Sequence, residues 1–249
     1  MYEIFVMPLA TYWDELEDLE IEAKEAVKDL QKELTEYYGK TVNWVEPDEI
    51  DVEDIEVSLI EDNELMSLYV VAAKLETSEN IDNIDLDPEN PWDSEVFDEL
   101  EKKLDDGGNI DLYHHLLMPQ NSPETIYVPV DLPNTVSLFS DEAAAEMDEN
   151  FDEADYEENG SICVASLTKL RTELDKIQKI LKTDPEIDIE DENVDIEFEQ
   201  DDSLSSAKIA WYVLNTQINN AVKAKLPLII RYVHDEEYDE LGEDFEDEE

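Results

Sequence analysis

The sequence predicts an α+β fold: mostly antiparallel sheet packed with amphipathic helices, with an acidic tail. Two periodicities carry that expectation. Apolar residues recur at helical spacing in three long segments, and they alternate with polar residues at strand spacing in several short ones. No apolar run reaches 18 residues, so no segment reads as a membrane span.

Taken in order, Tyr2-Glu3-Ile4-Phe5-Val6-Met7 suits a short strand. A helix is expected from Trp13 to Tyr38, with Leu16, Leu19, Ala23, Ala26, Val27, Leu30, Leu34 and Tyr37 at helical spacing and Gly39 as its stop. Thr41–Val45 reads as a strand. Ile55, Val57 and Leu59 alternate with Asp54, Glu56 and Ser58, a strand with one wet face. Leu65–Leu75 reads as a more buried apolar strand. Residues 76–92 form a polar loop with Pro88 and Pro91. A helix follows at Ser94–Leu104, closed by Gly107-Gly108. That pair marks the expected boundary between an N-terminal α+β domain (1–107) and a C-terminal one (108–234).

Residues 125–131 read as an edge strand, because Pro129 cannot donate to a ladder. Ser140 would cap a helix over 141–150. Ser166 would cap a helix to Lys182 with Leu167, Leu170, Leu174, Ile177 and Leu181 inward. Residues 187–199 alternate again. A long helix over 204–225 presents Ala207, Trp211, Leu214, Ile218 and Ala221 on one face. Pro227 ends it, Leu228–Val233 is an apolar strand, and 235–249 is an acidic tail.

Charge dominates the functional reading. The 249 residues hold 71 Asp and Glu against 16 Lys and Arg, a formal net charge of -55. Four Trp, eleven Tyr and six Phe, with 41% hydrophobic residues, still allow a folded core. A globule of this length spans about 46 Å, over which duplex DNA carries about 27 charges. The chain therefore has charge enough for one face to match a duplex.

The bases are segregated from the acids. No Lys or Arg lies between Lys40 and Lys74, between Lys103 and Lys169, or between Lys182 and Lys208. Alternate strand residues lie about 6.6 Å apart on one side, so Asp195, Glu197 and Glu199 form a carboxylate row, and Asp54 and Glu56 a shorter one. With Asp148, Asp152, Asp155, Asp188 and Glu190, these are the candidate partner-binding residues. A solvated acidic face is the plain reading of any one row. Several such rows together favour a docking surface.

In charge balance, folded body and expected cytoplasmic setting, the chain resembles phage and mobile-element anti-restriction proteins that mimic DNA, and acidic immunity proteins that neutralise nuclease toxins. The stretch from Gly160 through the helix at 167–182, then 207–230 with Trp211 and Leu226-Pro227-Leu228-Ile229-Ile230, is similar to the C-terminal layout of some bacterial immunity proteins. The resemblance rests on no specific motif and assigns no residue. It implies an inhibitor that occupies the nucleic-acid-binding surface of a DNA-processing or host-defence enzyme. The alternatives are immunity to a cognate toxin, or chaperoning of a basic protein through the tail. The expected partner is a basic protein, not nucleic acid and not a membrane; a homodimer is compatible with the sequence.

Catalytic and cofactor chemistry is not signalled. No carboxylate pair stands out among so many, there is no Gly-rich phosphate loop, and an acidic surface repels phosphates. His114-His115 would face opposite ways on a strand, a poor start for a metal site. Asp82, Asp85, Asp87 and Glu89 lack the glycine and the closing Glu of a calcium loop. The single Cys163 reads as buried and structural, in a reducing compartment. Trp13 and Trp211 read as core; for Trp92, in a proline-flanked loop, an exposed anchor for a partner is the lesser of the two readings. The expectation is a binding protein, not an enzyme.

Overall fold

The computed structural model describes residues 1–17, 20–47, 57–78, 86–87, 90–138, 162–187, 189 and 203–233. They contain six strands: β1 (Tyr2–Val6), β2 (Val57–Ile60), β3 (Glu124–Val128), β4 (Val136–Leu138), β5 (Ile162–Ser166) and β6 (Leu228–Tyr232). Seven α-helices accompany them: α1 (Leu9–Glu17), α2 (Glu20–Tyr38), α3 (Asp62–Thr77), α4 (Glu95–Asp105), α5 (His114–Leu117), α6 (Leu167–Leu181) and α7 (Ser205–Ala224). Short 3-10 turns occupy Pro91–Asp93 and Met118–Asn121. The α+β expectation holds.

One sheet runs through the molecule in the order β2-β1-β6-β3-β5-β4. Only β3 and β5 pair in parallel; the other four pairings are antiparallel. The strands come from both sides of residue 107, so the N- and C-terminal halves share this sheet.

Strand alternation divides the core in two. Ile4, Ile60, Tyr127, Ala165, Leu228 and Ile230 face the cluster built by α3, α4, α5, α6 and α7. Phe5, Ile126, Val128, Val164 and Ile229 face the other way, against Leu9, Tyr12, Val27, Leu30 and Leu34 of α1 and α2. The sheet is thus a central layer with helices on both faces, as apolar residues on both sides of each inner strand require.

Several expectations are corrected. Leu65–Leu75 is helical, not a strand: it lies inside α3, where Leu68, Val70, Val71, Ala72 and Ala73 are fully buried. A helix wrapped in protein on all sides loses its polar face and with it the helical period. Glu61 and Glu64 form a capping box that starts it. The expected single helix over 13–38 is two, α1 and α2, and it ends at Gly39 with φ 62°.

Residues 41–45 are not a strand, although Val42 and Trp44 are both buried. Their backbone is bonded by helix side chains instead. Val42 N donates to Thr35 Oγ1 at 2.9 Å, and Gln31 Nε2 donates to the Trp44 carbonyl at 3.0 Å. β3 is an interior strand and not an edge, lying between β6 and β5. It stops at Val128, so Pro129 falls just outside the ladder.

The C-terminal elements follow the expected limits closely. Ser166 Oγ accepts from Lys169 N at 3.3 Å and starts α6. α7 leads through Leu226 and Pro227 into β6. The expected helix over 141–150 lies outside the described residues, as does the alternating stretch over 187–199 apart from Ile187 and Ile189, which are not in a strand.

Candidate functional site

The ten candidate docking residues, Asp54, Glu56, Asp148, Asp152, Asp155, Asp188, Glu190, Asp195, Glu197 and Glu199, all lie outside the described residues. What the structure places is the framework from which their segments depart. All 16 Lys and Arg belong to described residues. The stretches outside hold 41 of the 71 acids and no base. Body and acid runs are therefore chemically distinct parts of one chain.

Strand register fixes where those runs attach. At one end of the sheet lie the start of β1, the end of β6, the start of β3, the start of β5 and the end of β4, through the pairs Tyr2 with Tyr232, Glu124 with Arg231 and Ile162, and Leu138 with Ile162. Residues 139–161, with ten acids, join β4 to β5 at this end. Residues 234–249, with eleven, follow β6 there.

The third run leaves at the same end. α6 and α7 are antiparallel: Arg171 Nη1 donates to Asn219 Oδ1 near the start of α6, and Asp184 N donates to Tyr212 Oη just beyond its close. Gln217 Nε2 donates to Ser58 Oγ, level with Ile4 at mid-sheet. Ser205 lies twelve residues earlier, about 18 Å along the helix. The connection from Leu181 to Ser205, with Asp188, Glu190 and seven more acids after Glu190, thus begins and ends near the β6 terminus. Lys179, Lys182 and Lys208 stand at its roots. Residues 48–56 are different: they enter β2 at Val57, which pairs with Phe5 toward the opposite end.

The described body has mixed charge. Exposed Glu25, Asp29, Glu33 and Glu36 of α2 share their helix with Lys24, Lys28 and Lys32. On α4, Glu99 pairs with Lys74 at 3.8 Å, and Lys103 reaches across to Glu76 at 2.6 Å. In this region cations and anions interleave.

Some carboxylates are structural, which sequence reasoning missed. Glu76 is buried and accepts from the backbone N–H groups of Asp111, Leu112 and Tyr113 as well as from Lys103 Nζ. Burial alone would raise its pKa, but these donors together bring it below the ordinary carboxylate value. Glu173 caps α5, accepting from His115 N at 3.1 Å and Leu116 N at 2.8 Å. Here burial wins, and its carboxyl is pushed up to about 7. Glu124 is also raised by burial, against a hydrogen bond from Tyr12 Oη at 2.8 Å. With 71 acids, nothing in the sequence marks these three.

The other singled-out residues have ordinary surroundings. His114 and His115 sit on α5, not on a strand, with rings 5.4 Å apart. His114 Nε2 accepts from Thr135 N at 3.2 Å and His115 Nδ1 from Ser166 N at 3.1 Å, so backbone amides occupy one lone pair on each ring. Burial lowers His115 to about 4. Among the described residues no group of three or more His, Cys, Asp or Glu is placed to hold a metal ion.

Cys163 is buried, with its thiol pushed up to about 12. Trp211 is fully buried and Trp92 is 48% exposed. A groove of about 360 Å³ is lined by Trp44, Val45, Pro129, Leu167, Thr168, Val222 and Lys225. It is mainly apolar; Lys225 is its single ionisable lining residue, and the neutral Thr168 hydroxyl is engaged with Ser166 Oγ at 3.0 Å. No nucleophile and base meet there. Among the described residues no helix is long and apolar enough to cross a membrane.

Neither a curated protein nor a solved structure matches the chain. A family model described as "Putative DNA-mimic protein" matches residues 2–230, which span every described strand and helix except the last two residues of β6. With cation-free acid runs attached to a compact mixed-charge body, and a family match over nearly its whole length, the chain belongs to the putative DNA-mimic protein family.

Proposed function

We propose that this protein is an inhibitor that occupies the nucleic-acid-binding surface of a DNA-processing or host-defence enzyme, with anti-restriction as its setting. Its acid runs meet the Lys and Arg that normally hold phosphates. The observation that carries the reading is the segregation of charge: 41 acids without a base lie in stretches rooted in a body that holds every cation. Three of those stretches leave from one end of the sheet. Asp148, Asp152, Asp155, Asp188, Glu190, Asp195, Glu197 and Glu199 belong to those three stretches; Asp54 and Glu56 belong to a fourth, which enters β2 from the opposite end.

Charge concentrated in this way steers a basic partner and makes association fast and salt-sensitive. It also repels nucleic acid, so the partner is a protein. The role needs no catalytic group. The test is capture of the basic partner on immobilised full chain, followed by competition with duplex DNA. An excess of duplex should weaken the captured enzyme's binding at least about tenfold, as expected for a shared phosphate-binding surface. Equal affinity with and without duplex contradicts the proposal.

A further inference from the structure

We propose that the outer edge of β2 is a docking strand, to which an extended Lys- or Arg-bearing segment of the partner adds by backbone pairing. This rests on the reading above that the partner is basic, and it specifies how that partner is held. Among the described residues β2 ends the sheet, paired with β1 alone. Ser58 and Ile60 point to α7: Ser58 Oγ accepts from Gln217, and Ile60 is fully buried. Val57 and Leu59 point the other way, and they remain 52% and 41% exposed. One face of the strand is thus fixed while the other is exposed, and among the described residues no second strand pairs with the outward backbone groups of Val57 and Leu59.

The opposite terminal strand, β4, is unlike it. Val136 and Leu138 are packed against the cluster of α1 and α2, and Lys40 and Tyr38 bond to the carbonyls of Asp131 and Asn134 just before it. Terminal strands are normally blunted by a charge, a proline or a bulge within the strand. Val57-Ser58-Leu59-Ile60 has no charge and no proline, and it pairs with β1 residue for residue.

The segment in front of β2 supplies a different safeguard. Residues 48–56 hold six acids, and no base occurs between Lys40 and Lys74. A second copy, itself at -55, would be repelled. A cationic strand would be drawn in. Strand addition takes affinity from the backbone and specificity from alternate side chains. The occupant is therefore a stretch in which Lys or Arg alternates with β-branched residues, the latter covering Val57 and Leu59.

Two ten-residue probes of equal charge separate strand addition from plain attraction. One alternates Lys with Val; the other alternates Lys with Pro, which cannot donate to a ladder. Mixed with the full chain at low salt, the Lys-Val peptide should slow amide exchange at residues 57–60 about tenfold and bind at least about fivefold tighter than the Lys-Pro peptide. Leu59→Asn, at an exposed position, should remove most of that difference without changing net charge.

Equal binding of both peptides with no protection at 57–60 overturns the docking strand and leaves the basic-partner reading standing. Binding of neither overturns both. Protection that grows with protein concentration in the absence of peptide places a second copy on the edge and also overturns the proposal.

Discussion

Glu76 and Glu173 show that a carboxylate's role here depends on its donors. Both are buried, yet their pKa values move in opposite directions. Glu76 has four donors, one a lysine, and keeps its charge. Removing it by Glu76→Ala leaves three backbone N–H groups and Lys103 without their acceptor. The expected cost is about 3 kcal/mol, read from urea denaturation at pH 8. Because its folded pKa is depressed, that contribution is present above the ordinary carboxylate value and fades as the pH falls through the folded one.

Glu173 behaves in the reverse sense. Its folded value of about 7 exceeds the ordinary 4.5. Between these values the folded chain holds a proton that the unfolded chain has released, so this residue's contribution falls as pH rises through the window. Glu173→Gln keeps the shape and removes the titration. The variant's stability relative to the parent should rise from pH 4.5 to 7 and level off above, by an amount on the order of 1–3 kcal/mol. A difference that is flat across the window would show that Glu173 is not held protonated. None of this was legible in the sequence, because burial of two acids among 71 is decided by distant elements: α4 and the following turn for Glu76, α5 for Glu173.

Elements were legible where local signals agreed. α6 has a capping Ser166, a clean apolar stripe of Leu167, Leu170, Leu174, Ile177 and Leu181, and a definite stop. α7 and β6 are joined through Pro227, which ends one and admits the other. α3 was not legible, because burial on every side leaves an apolar run without a helical period. Residues 41–45 failed for the opposite reason: their alternation is real, but Thr35 and Gln31 take the backbone bonds that a neighbouring strand would have made.

The helix ends carry a testable cost. α6 and α7 both close on a lysine in the left-handed region, Lys182 at φ 59° and Lys225 at φ 61°. A Cβ is disfavoured there and glycine is not. Lys182→Gly should therefore stabilise the fold by about 0.5–1 kcal/mol, seen as a higher urea midpoint with unchanged slope. Loss of stability would mean that the exposed lysine makes a contact outweighing its backbone strain.

At the scale of the whole molecule, the charge pattern was legible as composition and as gaps between lysines, while its spatial sense was not. Strand register, with the antiparallel pairing of α6 and α7, reveals that runs separated by dozens of residues leave one end of a single sheet. The same sheet crosses residue 107, which the glycine pair there could not foretell. A body holding all 16 cations and acid runs holding none make a specific claim: position of charge, not its total, binds the partner.

Two full-length variants of equal net charge test that claim. In one, Asp54, Glu56, Asp148, Asp152, Asp155, Asp188, Glu190, Asp195, Glu197 and Glu199 become Asn or Gln. In the other, ten exposed acids of α2, of α4 and at Asp106 do so. Each is titrated against the captured DNA-binding enzyme carrying a fluorescent duplex, and displacement is followed by anisotropy. The first variant should lose at least about tenfold in displacing strength and the second less than about twofold, since screened charges away from a contact contribute little. Equal losses would show that bulk charge suffices and would contradict a docking surface built from the acid runs.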